Sequence, residues 1–435
     1  ATSYQVSKGK KGNLDTSVIE KDGSSNKDIV ATGVGTATLL LVPDSQINNV
    51  KSTINNIGST EEAYILETLA DKYYSQSFSN WLTVEVDVEP ADLTLINVAG
   101  QSNAEGWCSS STGYQVQDSV LCEEGTVYST YVPNDISKGS QIAGLDFSSA
   151  DTNGNNASKF VAGSLTGETS ISGDNLQYPL NSLTEAGDGK TGPDSGIAFQ
   201  WNRLTGDKVW VVNAAWGGTS ITKWVPGATC YKRANTIFDL ATQTFDAEIS
   251  SGHYKEASIL MFWVQGEADA DMDAGTYTSY FNTMYEKWMD SYDLDGFGII
   301  MVRAAAGSHT TAADLKMTGP RIALYSIGRS DDYPNVFVVS NANEEWVSNS
   351  GVSSYFSSEY TGGTLSYPTH RSTSQKIPTT VSEVHSDIHY SQIGHNENGI
   401  TAAKGMYNAL FQASSNITSA WKDQDYHTIT SILME

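Results

Sequence analysis

The chain has 435 residues, 39% of them hydrophobic and 17% charged. This excludes a disordered protein and suffices for one large α/β domain plus an accessory module. Lys and Arg total 25 against 50 Asp and Glu, a net charge of −25. Such a surface repels phosphate backbones and anionic lipid, so nucleic acid and membrane surfaces are excluded as partners. No apolar run reaches the ~20 residues that cross a bilayer, so membrane insertion is excluded as well. No signal-peptide pattern stands at Ala1, but a polar surface with 22 Tyr and 10 Trp and few Lys leans towards a secreted protein that meets carbohydrate. Three cysteines are too few for a disulfide framework. Cys108 and Cys122 share one polar loop, where a disulfide and two thiols are both open.

Residues 1–27 are polar and without period, a flexible lead or irregular edge. The run 36–42 (Thr-Ala-Thr-Leu-Leu-Leu-Val) predicts a strand closed by Pro43. Ser59-Thr60-Glu61-Glu62 has capping-box spacing before apolar residues at helical intervals to Tyr73. Residues 81–88 alternate apolar and polar and predict a half-buried strand stopped by Pro90. Residues 1–90 therefore form a small β-rich or α+β accessory module.

From Ala91 the pattern changes. Buried strands are predicted at 93–99, 209–214, 258–263, 297–302 and 335–339. Helical apolar spacing appears at 197–204, 234–249, 277–292 and 400–410. Continuous apolar strands alternating with helices give a three-layer α/β/α domain on a central, mainly parallel five-stranded sheet, spanning 91–435. Residues 105–190 interrupt it with a long Gly-, Ser-, Asp- and Asn-rich insertion that forms part of a site wall.

Four segments carry chemistry: Gly100-Gln101-Ser102-Asn103, Trp216-Gly217-Gly218-Thr219-Ser220 running to Trp224, Trp263-Val264-Gln265-Gly266-Glu267, and Ser386-Asp387-Ile388-His389. The first three follow predicted strands, and parallel strands bring their carboxyl ends to one edge, where ligands bind in open α/β sheets. A serine hydroxyl is a weak nucleophile until a base takes its proton. His389 suits that role because imidazole titrates near neutrality. Glycines after a strand let backbone N–H groups approach an oxyanion, and a side-chain amide such as Gln265 adds a donor. Each piece alone has a commonplace reading as turn or core; their order and placement argue for a site.

These blocks resemble the SGNH hydrolase superfamily, and within it the sialate O-acetylesterase-like branch that includes the acetylxylan esterases of carbohydrate esterase family six. Gly192-Pro193-Asp194 before a helix adds to the likeness, which covers roughly 91–412 and leaves 105–190 poorly matched. The resemblance implies a serine esterase that removes acetyl groups from an acetylated oligo- or polysaccharide, acetylxylan or another plant polysaccharide first, without cofactor or metal; a sialate O-acetylesterase and a non-catalytic carbohydrate-binding protein on a hydrolase scaffold are the alternatives. It implies Ser102 as nucleophile, His389 as base, and the Ser102 N–H, Gly217 or Gly218, and Gln265 as oxyanion donors. Gln101, Asn103, Trp107, Trp224 and Glu267 fall beside the substrate. The family places an Asp three residues before the His, where this chain has Ser386. Asp387 through a distorted turn, Ser386 or a backbone carbonyl, and a distant acid such as Glu383 or Glu267 are the groups open for orienting His389. His385, His389 and His395, with Asp387, suggest a metal set, and His385 and His389 have the i, i+4 spacing of a zinc helix, but the segment lacks its Glu and reads as a turn. Asp269, Asp271 and Asp273 could suit Ca²⁺, and read first as a solvated loop.

Overall fold

The computed structural model describes residues 2–6, 19–21, 29–31, 34–42, 47–56, 82–107, 119–122, 126–129, 192–302, 318–369, 375–385 and 388–412. The chain divides into two compact units, Ala1–Ala91 with Ile249–Lys255, and Asp92–Glu248 with Glu256–Glu435. No helix among the described residues is long and apolar enough to cross a membrane.

In the first unit, strands β1 (Thr2–Val6), β4 (Gly35–Val42) and β5 (Leu82–Val88) form an antiparallel sheet in the order β1-β4-β5. The short strands β2 (Ile19–Lys21) and β3 (Ile29–Ala31) pair antiparallel, and α1 spans Ile47–Asn56. Pairing to β4 makes Thr2–Val6 a strand rather than the lead that its polarity implied. The helix expected after Ser59 lies outside the described residues.

The second unit is an α/β fold on a sheet ordered β11-β10-β9-β6-β8-β7. In chain order its elements are β6 (Ala91–Gly100), α2 (Ser102–Glu105), β7 (Val127–Ser129), α3 (Asp194–Thr205) and β8 (Lys208–Asn213). Then come α4 (Thr229–Ser250), β9 (Tyr254–Val264), α5 (Ala274–Tyr292), β10 (Gly296–Ile300), α6 (Gly319–Arg329) and β11 (Val336–Ser340). Helices α7 (Asn349–Glu359), α8 (Val381–Val384) and α9 (Gln392–Phe411) complete it. The pairs β6–β8, β7–β8, β9–β10 and β10–β11 are parallel. The five predicted strands are present. A sixth, β7, comes from the long insertion and is too short, at three residues, to show a pattern.

Residues 93–100 of β6 are buried without alternation, as expected of a strand covered on both faces. The two covering layers are visible at β11, where successive side chains point to opposite faces. Val338 meets Gly328 of α6, whereas the backbone of Val339 meets Gly405 of α9. Helices α3 and α9 pack against each other so closely that a Cβ on Gly399 would lie 2.3 Å from the Pro193 carbonyl oxygen. This contact brings the loop before α9 to the same end of the sheet as β6.

Candidate active site

The sheet order changes direction at β6, which has β8 on one side and β9 on the other. Ligands bind at such a switch point, beyond the carboxyl ends of the strands. Main-chain hydrogen bonds stitch three strand ends together there. Gln101 N donates to Val264 O at 2.9 Å, and Trp216 N donates to Gly100 O at 2.9 Å. Gly100 has φ +137°, and a Cβ on it would lie 2.0 Å from Val264 O, so only glycine lets the strand ends approach.

Ser102 opens the four-residue helix α2 and is 7% exposed. Its Oγ lies 3.0 Å from Nε2 of His389. The Ser102 N–H is at the first helical position, where a helix has no internal acceptor to offer. His389 is half-buried in the short loop between α8 and α9. That loop is pinned by Ser391 N to Val384 O at 2.8 Å, by Ser391 Oγ to Glu383 O at 2.7 Å, and by a bridge between His385 and Tyr390. His385 therefore sits on extended backbone, not on a helix face shared with His389. Asn103 Nδ2 donates to Ile388 O at 3.0 Å and to Glu267 Oε1 at 2.6 Å, joining the first, third and fourth blocks. Asp387 and Ser386, two of the groups considered for orienting the imidazole, lie outside the described residues. Of the distant acids, Glu383 closes the capping box of α8 with Thr380, and Glu267 engages Asn103.

The side chains expected beside the substrate separate into two groups. Trp107 is 42% exposed and its ring stacks on that of His389, centroids 6.1 Å apart and planes at 28°. Gly217 is half-buried and adjoins Ser102, while Gly218, with φ +69°, faces open space. The others turn inward. Gln265 is fully buried, and its Nε2 donates to Asp269 Oδ2 (2.6 Å), Thr219 O (3.0 Å) and Gln101 Oε1 (3.3 Å). Its Oε1 accepts from Tyr277 OH at 2.6 Å. This corrects the expectation that Gln265 donates to the oxyanion: its donors are already engaged in the protein. Gln101 is buried too, its Oε1 also accepting from Ala268 N at 3.1 Å, so it binds the third block rather than substrate. Asn103, 1% exposed, likewise ties protein to protein. Trp224 is fully buried against Trp263 and Trp288, with its Nε1 donating to Thr219 Oγ1 at 3.0 Å. It is core, not substrate wall, because three aromatic rings fill the space behind the second block.

Glu267 is 5% exposed, and burial outweighs the Asn103 hydrogen bond to push its carboxyl up to about 7. Asp194, at the start of α3, is pushed up to about 7 for the same reason. Asn213 Nδ2 donates to both Asp194 oxygens and to Ala104 O at 2.8 Å, bracing α2 from below. Asp269 holds Ile221 N at 2.7 Å, and Asp273 caps α5 through Thr276 N at 2.9 Å. Two of the three loop carboxylates thus have structural partners. Among the described residues no three His, Cys, Asp or Glu side chains form a ligand cluster.

Two residues of the site were not singled out from the sequence. Glu105 Oε2 accepts from Gly217 N at 2.6 Å and from Trp107 Nε1 at 3.0 Å. His395, considered only as a metal ligand, is buried, and its Nε2 lies 2.9 Å from the Trp107 carbonyl oxygen. Burial brings its imidazole down to about 4, so it is neutral at neutral pH and donates to that carbonyl. Glu105 carried a signal in its place three residues after Ser102. A lone acid on so short a helix reads as solvated.

Several solved structures share features of the chain. A protein from Arabidopsis thaliana is 15% identical, with 74% of this chain and 100% of that chain covered and a TM-score of 0.38. NanS is 14% identical, with 75% and 100% covered and a TM-score of 0.39. A carbohydrate acetylesterase from Xanthomonas citri is 12% identical, with 77% and 60% covered and a TM-score of 0.32. Among curated proteins none matches. Residues 92–349, more than half of the chain and inclusive of the first three blocks, match the family described as carbohydrate esterase, sialic acid-specific acetylesterase. The chain belongs to this family of carbohydrate O-acetylesterases.

Proposed function

We propose that the enzyme removes O-acetyl groups through an acetyl-enzyme on Ser102, with His389 as general base and then general acid. The observation that carries this reading is the 3.0 Å separation of Ser102 Oγ and His389 Nε2, within the reach a nucleophile and its base require. His389 takes the hydroxyl proton as Oγ bonds to the acetyl carbon. The tetrahedral oxyanion receives the Ser102 N–H and the Gly218 N–H; the Gly217 N–H, expected as the other choice, already donates to Glu105 Oε2 at 2.6 Å. Collapse breaks the C–O bond to the sugar, whose oxygen leaves with the proton from His389. Water then gives its proton to His389 and attacks the acetyl carbon; acetate departs, and Oγ regains the proton. Asp387 is assigned to orienting the imidazole, on the family pattern displaced by one residue.

An acetylated neutral plant polysaccharide, acetylxylan foremost, is the proposed substrate. The net charge of −25 and the Glu105 carboxylate beside the nucleophile both disfavour an anionic sugar. The family description favours the second reading, a sialate O-acetylesterase with the same chemistry. The composition fits an extracellular enzyme, and residues 1–90 are assigned an accessory role.

Acetate release from acetylated xylan, acetylated mannan and O-acetyl sialic acid separates these readings. Ser102→Ala should reduce release by at least about 10³-fold, since a triad nucleophile acts as part of a unit. A serine-reactive organophosphonate should label the wild-type protein at Ser102. Undiminished release by Ser102→Ala would remove the mechanism, and faster turnover of the sialic acid would reverse the substrate assignment.

A further inference from the structure

Glu105 connects the two walls of the nucleophile pocket. One carboxylate oxygen accepts the Gly217 N–H at 2.6 Å and the Trp107 indole N–H at 3.0 Å. A Cβ placed on Gly217 would lie 2.8 Å from that oxygen, 3.2 Å from the indole nitrogen and 3.5 Å from Ser102 Cβ. The carboxylate, the indole and the nucleophile therefore converge on one glycine. Trp107 is held at two further points. Its N–H donates to Ser102 O at 2.9 Å, and its carbonyl oxygen receives His395 Nε2 at 2.9 Å. The indole so fixed stacks on His389.

We infer that Glu105 is a positioning residue for deacetylation, a clamp that holds the Gly217 turn against Ser102 and the Trp107 ring against His389. The inference rests on Ser102 and His389 being the reacting pair. Among the described residues its hydrogen bonds go to Gly217 and Trp107, and through them it bears on the reacting pair. A charge so near the oxyanion opposes its formation. The benefit is therefore geometric: both donors need one well-placed acceptor oxygen, which an amide oxygen also supplies. Because the Gly217 N–H is engaged by Glu105, the oxyanion relies on the Ser102 N–H and on the following amide of the turn.

The test is steady-state acetate release by Glu105→Ala, Glu105→Gln and Trp107→Phe in the full chain, with Ser102→Ala alongside. Glu105→Ala should lower kcat by up to about 10²-fold, the usual cost of a displacement near 1 Å at a reacting group. KM should change by less than about 3-fold, because the clamp does not bind the sugar. Glu105→Gln retains the acceptor and should recover most of the lost kcat. Trp107→Phe keeps a ring and removes one donor; combined with Glu105→Ala it should lose less than the product of the single losses. A kcat for Glu105→Ala at or above wild type overturns the inference, and so does a Glu105→Gln as slow as Glu105→Ala. If Glu105→Ala does not fold, Glu105→Gln and Trp107→Phe still decide: a Glu105→Gln that loses kcat by about 10-fold or more, or a Trp107→Phe with wild-type kcat, also overturns it. An active Ser102→Ala would instead remove the underlying mechanism, whatever the Glu105 variants do.

Discussion

Ser102, Glu105, Trp107 and His389 form a rim that reaches solvent through an exposed indole and a half-buried imidazole. Gln101, Asn103, Gln265, Glu267 and Asp269 form a plinth beneath it in which every side chain is 5% exposed or less. The two sets meet in the first block, where Ser102 of the rim stands between Gln101 and Asn103 of the plinth. The difference is in what their polar atoms face. In the plinth, Gln265 donates to Asp269, Thr219 and Gln101, and Asn103 to Glu267 and Ile388. In the rim, Ser102 Oγ faces only the imidazole among its described partners. A family block therefore marks a neighbourhood; burial and hydrogen-bond partners decide which of its residues can meet a substrate.

The largest effect should come from breaking the plinth. Gln265→Leu keeps the volume and removes the hub. It removes the amide donor from Thr219 O and from Asp269 Oδ2, which keeps only Ile221 N among its described donors, and it removes the Oε1 acceptor of Tyr277 OH, which keeps the Gln265 carbonyl oxygen. Buried polar groups stripped of partners cost ~1–3 kcal/mol each. The urea midpoint of unfolding should fall by the equivalent of about 3 kcal/mol or more. In variant that remains folded, kcat should drop far less than in Ser102→Ala. If Gln265→Leu were stable and lost ~10²–10³ in kcat, the amide would be an oxyanion donor after all.

The fold was largely legible because strands buried on both faces write continuous apolar runs, as in 93–99 and 258–263. Helices with a clear apolar stripe, such as α5, were legible for the same reason. What escaped were short or weakly patterned elements. Val127-Tyr128-Ser129 is three residues inside a polar insertion, and β8 selects it as a partner only in the folded sheet. Helix α7 is rich in Ser, and its stripe of Val352, Tyr355 and Phe356 is confined to two turns. At the site, the pairing of Ser102 with His389 was legible from block order across 287 positions. The direction of Trp224 was not. It is fixed by Trp263 and Trp288, residues of β9 and α5 that no local pattern links to it. Glu105 was hidden because Gly217, 112 positions away, reaches it only when β6 and β8 lie side by side.

Glu267 sharpens the comparison through pH. Its carboxyl lies at about 7 in the fold, raised first by burial, against 4.5 as the ordinary value. The folded state therefore keeps its proton to higher pH than the unfolded state does. Below about pH 4.5 both states are protonated and the group is neutral to stability. As pH rises towards 7 the folded state is penalised, by up to on the order of 3 kcal/mol, and the penalty is constant above that. Glu267→Gln carries no such titration. Its stability relative to wild type should climb between pH 5 and 7 and level off by pH 8, measured as the difference in denaturation midpoints. Asp194 and Glu397, also raised to about 7, and His395, lowered to about 4, contribute equally to both proteins and cancel. A difference that stays flat from pH 5 to 8 would mean that Glu267 ionises as readily in the fold as in water, and so belongs to the rim.

The smallest effect is the most direct test of where the substrate wall lies. Trp224→Phe keeps an aromatic ring in the cluster with Trp263 and Trp288, removes the Nε1 donor to Thr219 Oγ1 and leaves the space of the second indole ring. The loss should be ~2 kcal/mol, a neutral hydrogen bond plus a small cavity. KM for acetylated xylan should stay within about 2-fold of wild type, because a fully buried ring has no face to offer a sugar. A KM raised about 10-fold, with stability unchanged, would place Trp224 in contact with substrate. The second block would then reach the polysaccharide through its last residue as well as through its glycines. Trp107 would be one of two aromatic walls rather than the exposed face that the rim presents.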